Sequence, residues 1–103
     1  MDKATVTQQV VQAVVQVQEA SGRPAGGIGP STKPIGGAPG FDSLNGVEVT
    51  VSLSESLGYE LPDDNIFISQ DGKRALSISE IADNVCKTIG VASEAAALET
   101  VRS

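Results

Sequence analysis

The sequence predicts a small, all-α fold, and three observations support this prediction. Apolar residues recur with a helical period in three segments, residues 4–19, 43–57 and 78–89. A segment rich in glycine and proline, residues 20–41, separates the first two and is predicted to be a loop. The chain has 103 residues, which is the length of one domain. We therefore expect a single domain over residues 1–92 and a C-terminal tail over residues 93–103.

The first predicted helix covers about residues 4–19, where valine and glutamine dominate. At about 100° per residue, Val6, Val10 and Val14 fall on one face of such a helix. A β-strand would require strict alternation of apolar and polar residues, and the adjacent pair Val10-Val11 breaks it. The pattern therefore favours an amphipathic helix that buries its valines.

The second predicted helix covers about residues 43–57, with Asp42 or Ser43 as its N-cap and Gly58 at its end. It carries two apolar stripes on roughly opposite sides, and the first contains Val49 and Leu53. One stripe can be buried in the core, while the other is either covered by a loop or exposed for a partner. The second stripe consists of Leu44, Val47 and Val51, and the carboxylates of Glu48 and Glu55 lie beside it.

Two further segments complete the predicted domain. Residues 62–70 form an irregular third region, in which Ile66 to Ile68 could be extended or belong to a short helix. The last predicted helix covers residues 78–89. It follows a capping-box pattern at Ser77 and Glu80 and has one apolar face, so we expect it to pack on the core.

Composition excludes several classes of function. The chain has no histidine and one cysteine, so Ser-His-Asp and Cys-His catalytic sites, an internal disulfide and histidine zinc sites are excluded. The net charge of −6 and an aromatic content of 3% argue against binding of nucleic acid. The chain shows no membrane-spanning apolar run and no signal-peptide pattern, so we expect a cytoplasmic protein that does not insert into membranes.

Two motifs stand at a fixed spacing around the second predicted helix. Asp42-Ser43-Leu44 opens it, an ungapped helix with acidic positions follows, and Glu60-Leu61-Pro62-Asp63 comes after its end. This combination resembles the acyl carrier protein family. The resemblance is close over residues 41–64 and extends to residues 4–19 and 77–89 as helices in the matching order.

The resemblance implies a small four-helix bundle. In this sequence the long loop between the first two helices is Gly/Pro-rich and the third-helix region is irregular, and both features depart from the family pattern. The resemblance further implies that Ser43 carries 4′-phosphopantetheine, whose thiol holds acyl groups as thioesters for fatty-acid, lipid or polyketide-type biosynthesis. The protein would then be a carrier rather than an enzyme, with no catalytic residues and no metal, and we expect a monomer. An alternative is a carrier-like adaptor that is never modified and binds partners through the second helix.

The resemblance also assigns roles around Ser43. The expected partners are a phosphopantetheinyl transferase and acyl-transfer or synthase enzymes that present basic docking patches. Val49 and Leu53 would line a cavity for the acyl chain. Asn45 and an insertion at residues 69–74 depart from the usual family pattern and indicate a specialised member. The expected partner-binding residues are Asp42, Leu44, Val47, Glu48, Val51 and Glu55.

Overall fold

A computed structural model describes residues 2–61, 64–69 and 71–89 of the chain. These residues are mostly helical, with α1 over Lys3–Ala20, the single-turn α2 over Pro34–Gly37, α3 over Ser43–Leu57 and α4 over residues 78–89. Extended pairing within the described residues is limited to one antiparallel bridge between Ile68 and Ala75. The prediction of a small, mostly helical fold is confirmed, whereas the predicted tail lies outside the described residues.

The first helix, α1, is fixed at its start by a side-chain cap and along its length by buried valines. The Asp2 carboxylate accepts a hydrogen bond of 2.8 Å from the backbone N–H of Thr5. Hydrogen bonds from Thr5 also hold the pKa of the Asp2 carboxyl below its usual value. Val6, Val10 and Val14 have no exposed surface, so the helical period correctly predicted which face is buried.

The loop between α1 and α3 is tied to α1 by a buried glutamine. Gln18 is fully buried, and its Nε2 donates to the carbonyls of Pro24 at 3.0 Å and Pro39 at 2.7 Å. These two prolines lie near opposite ends of the loop, so one side chain holds both ends. The predicted loop also contains the turn α2, which begins at the buried Pro34 and is closed by a 3.0 Å hydrogen bond from the Ala38 N–H to the Pro34 carbonyl, although Ile35 and Gly36 have non-helical backbone angles.

The last helix, α4, begins at the capping box that the sequence predicted. The Ser77 N–H donates to Glu80 Oε1 at 3.1 Å, and the Glu80 N–H donates to Ser77 Oγ at 3.2 Å. Carbonyl groups of the Gly/Pro-rich loop accept hydrogen bonds from two more backbone N–H groups in the first turn of α4. These bonds join Ile78 to Thr32 at 2.9 Å and Ser79 to Pro30 at 2.8 Å.

The region predicted to be irregular has no helix among its described residues, 64–69. It is nevertheless packed tightly, because Phe67 is fully buried and its ring lies 5.3 Å from that of Phe41, measured between centroids. The Ile68–Ala75 bridge pairs the two residues that flank the predicted insertion, residues 69–74. Residues 62, 63 and 70 lie outside the described residues.

The core lies between the inner faces of α1, α3 and α4, with α1 packed against α3. It is mostly aliphatic and also contains the contacting rings of Phe41 and Phe67. Cys86 is half-buried against this core. None of the helices described here has both the length and the apolarity that crossing a membrane requires.

Candidate functional site

The candidate site is centred on Ser43, the first residue of α3. Asp42 precedes it as the N-cap and forms a reciprocal capping box with Asn45. The Asn45 N–H donates to Asp42 Oδ1 at 3.1 Å, and the Asp42 N–H donates to Asn45 Oδ1 at 3.2 Å. Ser43 is therefore exposed on a rigid helix start whose neighbours on both sides are held in place.

The capping box leaves two backbone donors free beside the Ser43 hydroxyl. It satisfies the N–H groups of Asp42 and Asn45, and the Gly46 N–H is bonded to the Asp42 carbonyl at 3.0 Å. The N–H groups of Ser43 and Leu44 have no hydrogen-bond partner among the described residues. Free N–H groups at a helix N-terminus are suited to binding a phosphate.

An arginine from the Gly/Pro-rich loop lies against this helix start. Arg23 Nη2 donates to Asn45 Oδ1 at 3.3 Å, and its Nη1 donates to the Gly40 carbonyl. The backbone of Gly40 has φ +74°, a left-handed conformation that favours glycine. Arg23 was not among the predicted site residues, because no local pattern connects the loop to residue 45.

Asn65 fixes the candidate site from the other side of α3. Its Nδ2 donates to the Ser43 carbonyl at 3.0 Å, and its Oδ1 accepts the Phe67 N–H at 3.0 Å. Gly46 makes room for this side chain, because a Cβ at residue 46 would lie 2.5 Å from Asn65 Oδ1. Asn65 was not among the predicted site residues either. A glycine inside a predicted helix is the signal that could have indicated a close approach.

The predicted partner face of α3 is exposed. Leu44 is 67% exposed, Val47 37% and Val51 53%, and these are the large hydrophobic residues found exposed in the described structure. The carboxylates of Asp42, Glu48 and Glu55 are exposed as well. The structure therefore brings Ser43, an apolar strip and three acidic residues together on one helix.

The two residues predicted to line an acyl cavity lie on the buried side of α3. Val49 is 1% exposed and Leu53 2%, and both belong to the core. Neither lines either of two cavities found among the described residues. Thr50, between them, is also buried, and its Oγ1 accepts the Ile66 N–H at 3.1 Å.

The two cavities lie away from Ser43 itself. One, of about 440 Å³, lies between α4 and the segment that follows α3. The other, of about 600 Å³, is a more open, apolar groove between α1 and the Gly/Pro-rich loop.

Comparison of the chain with protein-family models, with curated proteins and with solved structures finds no match in any of the three.

Proposed function

We propose that this protein is an acyl carrier protein whose Ser43 is the attachment point of 4′-phosphopantetheine. In this proposal the domain is a four-helix bundle in which the segment around residues 62–70 takes the place of a regular third helix. The protein has no catalytic residues of its own and is a monomer in the cytoplasm. It passes acyl intermediates between enzymes of fatty-acid, lipid or polyketide-type biosynthesis.

The observation that carries the proposal is the geometry around Ser43. Its hydroxyl is exposed at the first position of α3, beside the free N–H groups of Ser43 and Leu44. These two donors and the positive end of the helix dipole suit a phosphodiester on the Ser43 oxygen. The guanidinium of Arg23 lies nearby on Asn45 and offsets part of the negative charge that such a group brings.

The modification is a phosphoryl transfer from coenzyme A. The Ser43 oxygen forms a bond to the phosphorus that bears the pantetheine, and the bond from that phosphorus to adenosine bisphosphate breaks. The Ser43 proton passes to a base of the transferase, and adenosine 3′,5′-bisphosphate leaves. Once attached, the group supplies a thiol that holds acyl chains as thioesters, a chemistry that no side chain of this chain supplies.

The exposed face of α3 fits the role of docking surface for the modifying and acyl-handling enzymes. Its apolar strip gives contact area, while Asp42, Glu48 and Glu55 favour partners with basic patches. The buried positions of Val49 and Leu53 mean that an acyl chain reaching them must displace core packing.

Intact-mass measurement tests the proposal. The protein is incubated with coenzyme A, Mg²⁺ and a broad-specificity phosphopantetheinyl transferase, and we expect a gain of one phosphopantetheinyl group. Ser43→Ala should abolish the gain. Ser56→Ala, which removes another exposed hydroxyl from the same helix, should leave it unchanged. A gain that survives Ser43→Ala, or none with several transferases, would refute the assignment.

A second candidate function is an adaptor that is never modified. The exposed strip of Leu44, Val47 and Val51 favours it, since a docking surface needs no prosthetic group. An absence of mass gain with several transferases, combined with partner binding that is lost in Val51→Asp, would support the adaptor over the carrier.

A further inference from the structure

The cavity between α4 and the segment after α3, named here the α4 cavity, is lined by apolar, uncharged polar and cationic residues. It has a volume of about 440 Å³, within the range of small-molecule sites. Leu61, Ile66, Leu76 and Val85 supply apolar walls. Arg74 and Lys87 supply the charge. A ligand that fits this lining has an aliphatic part and a negatively charged end.

The charge of the α4 cavity is opposite to that of the chain as a whole. Its described lining includes two cationic residues and no acidic one, although the net charge of the protein is −6. Arg74 is already paired, because its Nη1 lies 3.0 Å from Glu80 Oε2. Lys87 is exposed and has no ion-pair or hydrogen-bond partner among the described residues. Of the two cations in the lining, Lys87 is therefore the one that the described part of the chain leaves free to bind a ligand.

The wall of the α4 cavity begins close to the candidate site. Ile66, a lining residue, directly follows Asn65, whose Nδ2 is bonded to the Ser43 carbonyl. The segment that contains Asn65 and Ile66 thus links the candidate site to the wall of the cavity. The buried Val49 and Leu53, by contrast, line neither of the two cavities described above.

We propose that the α4 cavity holds the distal part of an acyl chain that ends in a carboxylate, with the Lys87 ammonium on that carboxylate. The inference rests on the proposed carrier function and names the substrate class that the carrier prefers. The aliphatic walls bind the methylene groups through burial of apolar surface. The ammonium distinguishes a chain with a carboxylate at its far end from one with a methyl group there.

Matched thioesters test this preference. The full-length protein is loaded at Ser43 with an arm carrying either a hexanoyl group or an adipoyl group bound through one of its carboxyls. The rate at which hydroxylamine cleaves each thioester reports how well the chain is sequestered. For each thioester pair we take the ratio of the adipoyl cleavage rate to the hexanoyl cleavage rate. We expect this ratio to be about two- to fivefold lower on the protein than on free pantetheine thioesters, because one exposed ion pair contributes that much.

Two lysine variants make the test specific. Lys87→Gln should bring the ratio back to that of the free thioesters, whereas Lys33→Gln, an exposed lysine of the loop, should leave it lowered. Amide shifts of Leu76 and Val85 should differ between the two loaded forms. An unchanged ratio, or a preference that survives Lys87→Gln, would overturn the inference and leave the carrier function standing. Failure to load Ser43 at all, seen by mass, would overturn both.

Discussion

Asn65 connects the first turn of α3 to the segment that follows the helix, and Gly46 leaves the space that it needs. The Asn65 side chain bonds the Ser43 carbonyl and the N–H of the fully buried Phe67. A Cβ at residue 46 would lie 2.5, 2.8 and 2.9 Å from the three end atoms of that side chain. The position of Ser43 therefore depends on a residue with no side chain, three positions further along the helix.

Gly46→Ala should destabilise the protein although alanine is the better helix former. Displacing Asn65 leaves the Phe67 N–H unpaired, a cost of about 1–3 kcal/mol. The gain in helix propensity is about 1 kcal/mol. We expect a net loss of up to about 2 kcal/mol in the free energy of unfolding, measured by urea denaturation.

A double-mutant cycle with Asn65→Ala separates the two effects. Asn65→Ala alone should also destabilise, because it removes the same hydrogen bonds. In the Asn65→Ala background, however, Gly46→Ala should become stabilising by about 1 kcal/mol, since only the propensity difference remains. A stabilising effect of Gly46→Ala in the original background would contradict the close approach.

At the scale of elements, the start of α4 combines a local cap with a contact from the preceding turn. Glu80 accepts the Ser77 N–H and also pairs with Arg74, at 3.0 Å. The Ser77 backbone N–H, followed by the Arg74 guanidinium, holds the pKa of the Glu80 carboxyl below its usual value of 4.5. The charged form of Glu80 is thus favoured in the folded protein.

The stabilising contribution of Glu80 should therefore depend on pH. A carboxyl whose pKa is lower in the folded state stabilises above its unfolded pKa and loses this effect as the pH falls through the folded pKa. Glu80→Gln should lower the melting temperature at pH 7, and the difference from the original protein should shrink below pH 4.5. Arg74→Gln should lower the melting temperature at pH 7 by less than Glu80→Gln does, because the Ser77 N–H still bonds the Glu80 carboxylate. A difference that stays constant down to pH 3 would contradict this interpretation.

The same elements show which parts of the structure the sequence could predict. The bounds of α1, α3 and α4 follow from local patterns: a helical period, Asp42 and Ser77 as caps, and Gly58 with φ +74° as the end of α3. The contacts that position the site are long-range. Gln18 and Pro39 are 21 residues apart, and Asn65 and Ser43 are 22 apart. A single sequence holds no pattern that pairs such residues. The exposed face of α3 could therefore be predicted, whereas the long-range contacts of Gln18 and Asn65 could not.

At the scale of the whole molecule, charge is distributed unevenly. From Phe41 to Asp64 the sequence contains acidic residues but no lysine or arginine, and Glu48 and Glu55 lie exposed beside the apolar strip of α3. Arg74 and Lys87, by contrast, both line the α4 cavity. For the proposed carrier, we therefore expect the local field of α3, and not the net charge of −6 alone, to orient a partner with a basic patch toward Ser43.

Reversing one charge on α3 distinguishes this local field from net charge. Glu48→Lys and Glu19→Lys change the net charge equally, and both glutamates are exposed, but Glu19 lies near the end of α1. We expect Glu48→Lys to lower kcat/KM for phosphopantetheinylation by about two- to tenfold at low salt, because like charges then meet at the docking surface. The loss should shrink at about 1 M salt, where the Debye length is roughly 3 Å. Glu19→Lys should have little effect at either salt concentration. Equal losses for the two variants would mean that net charge governs association, and α3 would no longer be distinguished as the docking surface.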